Sequence, residues 1–218
     1  MQASSLSCQS DKAGQPPAVF EKVLLIDDHA LFAQALAGLI CQEQLALSVI
    51  TASTLKSAVA HLRQDAGVDL VLLDLALDGE TGLSLLPSLA GADHIPPVVI
   101  ISSSEDESTV RAARAAGAVG FLAKSAGRAA LVRMMQAVRR GQGYFPGGIA
   151  PLAQGAPLTR RQLEVLALLA QGFPNKRICQ SLGLTEHTVK THLKAIFSQL
   201  GVHNRTECVS RARAAGWL

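Results

Sequence analysis

Four apolar runs in this chain each end in a side chain able to do chemistry. Asp27 and Asp28 follow residues 23–26, Asp74 closes residues 70–74, Ser102 closes residues 98–102, and Lys124 follows residues 119–123. Three carboxylates gathered at one edge repel unless a cation joins them, and hard oxygen donors in a partly open site suit Mg2+, which keeps several waters. A lysine beside them offers a point charge to a phosphoryl oxygen, and a serine hydroxyl can donate to another. The set describes a carboxylate that accepts a phosphoryl group. Such a transfer asks the protein for little beyond alignment and charge neutralisation. Singly, each residue has an ordinary explanation as a turn, a cap or a solvated charge. Their coincidence after separate strands is what carries the reading.

The elements that must position them follow from hydrophobic periodicity. Residues 23–26, 47–52, 70–74, 98–102 and 119–123 read as short buried strands. Between and after them, Leu31, Phe32, Leu36, Leu39 and Ile40 share one side of a helix, and further helices are expected at residues 55–62, 83–89, 107–116 and 129–140. Strands alternating with helices imply an α/β doubly wound, five-stranded parallel sheet, because a parallel crossover needs a helix-length connection. In such sheets ligands bind beyond the carboxyl ends of the strands, where the five residues above would lie.

The chain changes character after this region. Residues 141–157 are dense in Gly, Pro and Ala and read as a linker, and residues 1–20, rich in Ser and Gln, read as a disordered tail. Residues 21–140 form the first domain and residues 158–218 the second. In the second, Thr159 with Gln162 caps a helix carrying Leu163, Leu166, Leu169 and Ala170, which stops at Gly172. A helix over residues 175–182 ends at Gly183. Thr185 caps a third helix carrying Val189, Leu193, Ile196, Phe197 and Leu200, and a fourth spans residues 205–215. This is a small all-α four-helix domain whose second and third helices form a helix-turn-helix.

Charge divides the same way. Residues 20–140 hold 10 Lys/Arg against 13 Asp/Glu, whereas residues 158–218 hold 9 against 3, so the second domain is the one built to meet a polyanion. On its third helix Lys190, Thr191 and Lys194 share an exposed side, with His187 and Thr188 beside them, a set suited to phosphates and base edges. Val209 and Ala212 offer a small apolar stripe on the last helix. The four cysteines (Cys8, Cys41, Cys179, Cys208) lack CxxC spacing and read as free thiols. The chain holds neither an apolar run of membrane length nor a secretory leader, which implies the cytoplasm.

Residues 22–140, through LLIDDH, LVLLDL, VVIISSS and GFLAK, resemble a response-regulator receiver domain of flavodoxin-like fold. Residues 158–218, through LTRRQLEVLALLAQG, NKRI, LTEHTVKTHLKAIFSQLGV and NRTE, resemble a LuxR-type helix-turn-helix. Together they are similar to the NarL/FixJ family of two-component response regulators. The resemblance implies that a sensor histidine kinase phosphorylates Asp74 and that Asp27, Asp28 and Asp74 bind Mg2+ with the Ala76 carbonyl. It also makes Lys124 the phosphate partner, Ser102 and Phe121 the switch residues, promoter DNA the target, and Val209 and Ala212 part of a homodimer contact. Such a protein is a transcription regulator whose only catalysis is its own phosphoryl transfer and dephosphorylation.

Two features depart from the family's pattern. Asp78 stands where a proline is usual, adding negative charge near the pocket, and Ala76 and Ser104 are small where side chains tune phosphoryl lifetime. Two rivals share part of the set. A haloacid-dehalogenase-like phosphohydrolase would want a second aspartate where Ala76 stands, and a phosphorylation-independent receiver acting as a dimerisation module would not need the intact pocket.

Overall fold

The computed structural model describes residues 5–7, 19–64, 67–77, 80–85, 96–151, 158, 160–184 and 186–218. The strands are β1 (Ser5–Ser7), β2 (Phe20–Ile26), β3 (Ala46–Ala52), β4 (Leu70–Asp74), β5 (Ala76–Leu77), β6 (Glu80–Thr81), β7 (Val98–Ser102), β8 (Gly120–Ala123), β9 (Gln142–Phe145) and β10 (Gly148–Pro151). The helices of the first domain are α1 (Ala30–Gln42), α2 (Leu55–Gln64), α3 (Glu107–Ala115) and α4 (Arg128–Arg139). Those of the second are α5 (Arg160–Ala170), α6 (Asn175–Leu182), α7 (Glu186–Leu200) and α8 (Arg205–Ala214).

The sheet runs β1-β3-β2-β4-β7-β8-β9-β10, and its neighbours from β3 to β9 pair in parallel. Its strands are continuous apolar runs because both faces are covered. Val23 and Leu25 of β2, Leu70 and Leu72 of β4, and Val99 and Ile101 of β7 pack on one side with α1 and α4. Leu24 and Ile26, Val71 and Leu73, and Val98 and Ile100 pack on the other with α2 and α3. The alternation follows from the two-residue period of a strand, and Asp74, as the last residue of β4, stands at the sheet's carboxyl edge.

Four expectations need correction. The sheet has more than five strands, because the expected linker is partly ordered: β9 and β10 form an antiparallel hairpin that extends the sheet beyond β8. Glycines at positive φ, Gly147 and Gly148, make its turn, so glycine richness here marks a hairpin rather than a flexible spacer. The expected disordered tail contributes β1, which pairs antiparallel with β3 and covers that edge with backbone hydrogen bonds. Cys41 is disulfide-bonded, whereas Cys179 and Cys208 are free thiols, since sequence spacing carries no information on distance in space. Of the helix expected at residues 83–89, residues 83 and 84 lie in a 3-10 turn, Gly82–Ser84, and the buried Leu85 follows in helical backbone; residues 86–89, like Asp78, Thr159 and Thr185, lie outside the described residues.

The second domain closes around Leu166, Leu169, Ile178, Val189, Ile196 and Cys208. Gly183, at φ 63°, ends α6 and makes the turn of the helix-turn-helix. The Asn204 side chain accepts the Glu207 N–H at 2.9 Å, and the Glu207 carboxylate accepts the His203 N–H at 2.9 Å, a reciprocal cap that starts α8. The Arg205 guanidinium donates to the Phe173 carbonyl at 2.5 Å, fastening α8 to the end of α5.

The candidate phosphoacceptor site and the basic helix

Asp27 is 2% exposed and Asp74 2% exposed, whereas Asp28 is half-buried. One ligand atom from each of these and from His29 lies within 4.8 Å of all the others, so the cluster could hold a metal ion. Lys124, delivered by the end of β8, bridges it: Nζ lies 2.8 Å from Asp27 Oδ2 and 2.7 Å from Asp74 Oδ2. Burial pulls the lysine pKa down, and the two carboxylates outweigh it, leaving the ammonium held above its ordinary value. The Phe32 ring, from the first turn of α1, lies 4.8 Å from Nζ and covers it.

Each carboxylate is also oriented by backbone. Asp27 Oδ1 accepts the His29 N–H at 2.8 Å, and Asp74 Oδ1 accepts the Ala76 N–H at 3.2 Å. His29 Nδ1 lies 2.7 Å from Asp28 Oδ1 and turns that carboxylate. The loop after Asp74 folds back tightly: a Cβ on Gly82 would sit 2.1 Å from the Asp74 carbonyl oxygen, so only glycine fits. The requirement was not legible beforehand, because it belongs to a close approach of two backbones and not to a turn type.

Ser102 is 5% exposed on β7, beside β8, and its hydroxyl accepts the Ser104 N–H at 3.1 Å. Asp106 caps α3 and draws Ser104, Ser108 and Thr109 around it; hydrogen bonds from Ser104, then Ser108 and Thr109, hold its carboxyl well below the usual carboxylate range. Sequence reading missed this loop anchor, although the Ser-x-Asp-x-Ser-Thr spacing is its signal. Phe121 is 1% exposed and points into the α2–α3 side of the core.

On α7, Lys190 and Lys194 are exposed, and Thr188 and Thr191 are half-buried; His187 lies on the same helix. Lys190 Nζ pairs with Glu186 one turn earlier at 2.8 Å, which raises the lysine pKa and lowers that of the glutamate. Two sides of the helix are buried. Val189, Leu193, Ile196 and Leu200 enter the domain core. His192, Ala195 and Gln199, spaced three and four apart, are buried elsewhere: Gly141 at the exit of α4 lies against Ala195, Gln199 and Gln162 of α5. Neither ring nitrogen of His192 has a hydrogen-bond partner, and burial, then Arg139 and Arg161, push its pKa down to about 4.

On α8 the expected apolar stripe divides. Ala212 is fully buried in the domain's own core, which removes it from any dimer contact, whereas Val209 is half-buried and lines a shallow surface depression with Arg205, Thr206, Ser210 and Arg213.

A buried carboxylate cluster bridged by a lysine, carried by a parallel sheet and followed by a basic helix-turn-helix, places the chain among two-domain regulators that couple a phosphoacceptor fold to DNA. Comparison with known proteins gives the family. Residues 23–136 match the response regulator receiver domain, and residues 156–212 match the bacterial regulatory proteins of the luxR family. The glycerol metabolism activator of Pseudomonas putida is 35% identical over 209 residues, covering 88% of this chain and 94% of the relative. The nitrate/nitrite response regulator protein NarL of Escherichia coli K12 is 30% identical over 219 residues, covering 94% and 97%. The two-component response regulator RcsB, solved as a DNA complex, shares the fold with a TM-score of 0.51 at 16% identity, covering 89% of this chain and 98% of that one. The chain belongs to the NarL/FixJ family of DNA-binding response regulators of two-component systems. Among the described residues no helix is long and apolar enough to cross a membrane.

Proposed function

We propose that Asp74 receives a phosphoryl group from a sensor histidine kinase in the cytoplasm and that this event controls promoter binding by α7. The observation that carries the reading is Lys124 Nζ, 2.7 Å from Asp74 and 2.8 Å from Asp27: a cation from one strand end holds two carboxylates from two others. Asp74 attacks phosphorus in line, the bond to the kinase imidazole nitrogen breaks, and the freed nitrogen keeps the electron pair. Lys124 then exchanges its hold on the carboxylate for a phosphoryl oxygen, and the Ser102 hydroxyl turns from the Ser104 N–H to donate to another.

The donor set fits Mg2+: three close carboxylates, two of them almost wholly buried, carry more negative charge than one lysine neutralises. Asp27, Asp28 and Asp74, with the Ala76 carbonyl, would hold it, and when bound it neutralises charge on the transferring group.

In the state described here the face of α7 formed by His192, Ala195 and Gln199 is covered by the exit of α4. Release of that face lets Lys190, Thr191 and Lys194 enter the major groove, with His187 and Thr188 alongside, and lets α8 pair copies of the chain through Val209 as a homodimer. Acetyl phosphate with Mg2+ should phosphorylate the wild type once and leave Asp74→Asn unmodified. Modification of the variant at equal yield would overturn the reading.

A further inference from the structure

β9 touches both ends of the path just described. It begins directly after Gly141, where an added Cβ would lie 2.7 Å from Ala195 Cβ and 2.7 Å from Gln162 Nε2. It ends at Phe145, 4% exposed, in the same apolar cluster as Phe121. The Arg114 guanidinium of α3 lies 3.8 Å from the centroid of the Phe145 ring. Between these ends the strand pairs with β10 along four positions but is held to β8 by one registered pair, Gly120 with Tyr144, whereas β2 and β3 pair along six positions. The Tyr144 carbonyl approaches where a Gly120 Cβ would stand, at 3.1 Å.

A four-residue extended strand is stiff along its length, roughly 3.3 Å per residue. Joined to β8 by that one pair, the β9–β10 hairpin can move as a piece. Packed side chains have discrete arrangements rather than continuous ones, so a change in the Phe121 rotamer leaves Phe145 either seated or displaced.

We propose that β9 is the transmission element of this protein: Phe145, clamped by Arg114, follows the position of Phe121, and the resulting shift withdraws Gly141 from its seat on α7. The inference rests on the phosphoacceptor reading of Asp74 and adds to it the residues that carry the signal between domains. The covalent step stays at Asp74; β9 only changes conformation.

The test uses the full chain and follows amide hydrogen exchange over residues 192–199, with and without beryllium trifluoride and Mg2+ as the phosphoryl mimic. In the wild type the mimic should raise exchange there at least tenfold. Gly141→Ala, which wedges the seat apart, should show the raised exchange without mimic. Arg114→Ala, a surface change that leaves the core intact, should accept phosphoryl groups from acetyl phosphate at the wild-type rate yet lose at least two thirds of the exchange response. Arg114→Lys should recover it. Phe145→Leu should behave as Arg114→Ala, and Arg114→Ala alone decides if Phe145→Leu folds poorly. A full response in Arg114→Ala, or unchanged protection in Gly141→Ala, overturns the inference while leaving the Asp74 reading standing. A wild type whose residues 192–199 ignore the mimic overturns both.

Discussion

Lys124 and Asp74 come from the ends of different strands, fifty residues apart in sequence, and meet at 2.7 Å with both side chains largely withdrawn from water. That contact keeps Asp74 oriented. Removing the lysine leaves Asp27 and Asp74 facing each other without a cation of the chain's own between them. Lys124→Ala should therefore lower acyl-phosphate yield at least tenfold, and adding Mg2+ should raise its melting temperature more than that of the wild type. Equal Mg2+ responses in the two proteins would contradict this account of the cluster.

The seat under Asp74 gives a second test. Gly82→Ala forces a methyl onto the Asp74 carbonyl, so the loop must move. The expected cost is about 1–3 kcal/mol of stability, read as a lowered urea midpoint, with phosphorylation slowed at least tenfold. A variant with wild-type midpoint and rate would show that the loop has another way to fold.

His192 makes stability depend on pH in a defined direction. Its pKa is lowered from 6.5 to about 4 where it is buried, first by burial and then by Arg139 and Arg161, and Asp69 and Glu21 act on Arg139 in the opposite sense. The unfolded chain thus binds the proton more readily. The neutral histidine is tolerated fully above about pH 6.5, and stability falls as pH drops from there towards 4, by up to about 3 kcal/mol. His192→Gln should flatten this part of the stability profile relative to wild type. Parallel profiles would mean that His192 is not buried in the folded protein in solution.

Much of the fold could be read from the chain, for a physical reason. Strands buried on both faces, such as Leu70–Asp74 and Val98–Ser102, are unbroken apolar runs, and the amphipathic helices between them have a different period. β9 and β10 could not be read so, because their residues are those of a linker and become a strand pair only when β8 offers an open edge. The site was legible where chemistry fixes residue type, as at Asp27, Asp74 and Lys124. It was illegible at Gly82, Gly141 and His192, whose roles depend on which backbone or domain lies opposite.

The basic helix offers a prediction independent of phosphorylation. Lys190→Ala and Lys194→Ala, both at exposed positions, should weaken binding to duplex DNA and reduce the salt slope by about one unit each where the lysine meets phosphate. Glu186→Gln should tighten binding modestly by freeing Lys190 from its partner. Unchanged affinity and slope in both lysine variants would remove α7 from the groove.

One comparison bears most directly on the central claim that a phosphoryl group on Asp74 controls DNA binding. Full-length wild type and Asp74→Asn are treated with acetyl phosphate and Mg2+, then titrated onto a duplex selected from random sequence by the phosphorylated protein. The account predicts that treatment tightens wild-type binding at least tenfold and leaves Asp74→Asn at the affinity of the untreated wild type. Equal tightening in the two proteins, or none in a wild type that carries the phosphoryl group, would contradict it.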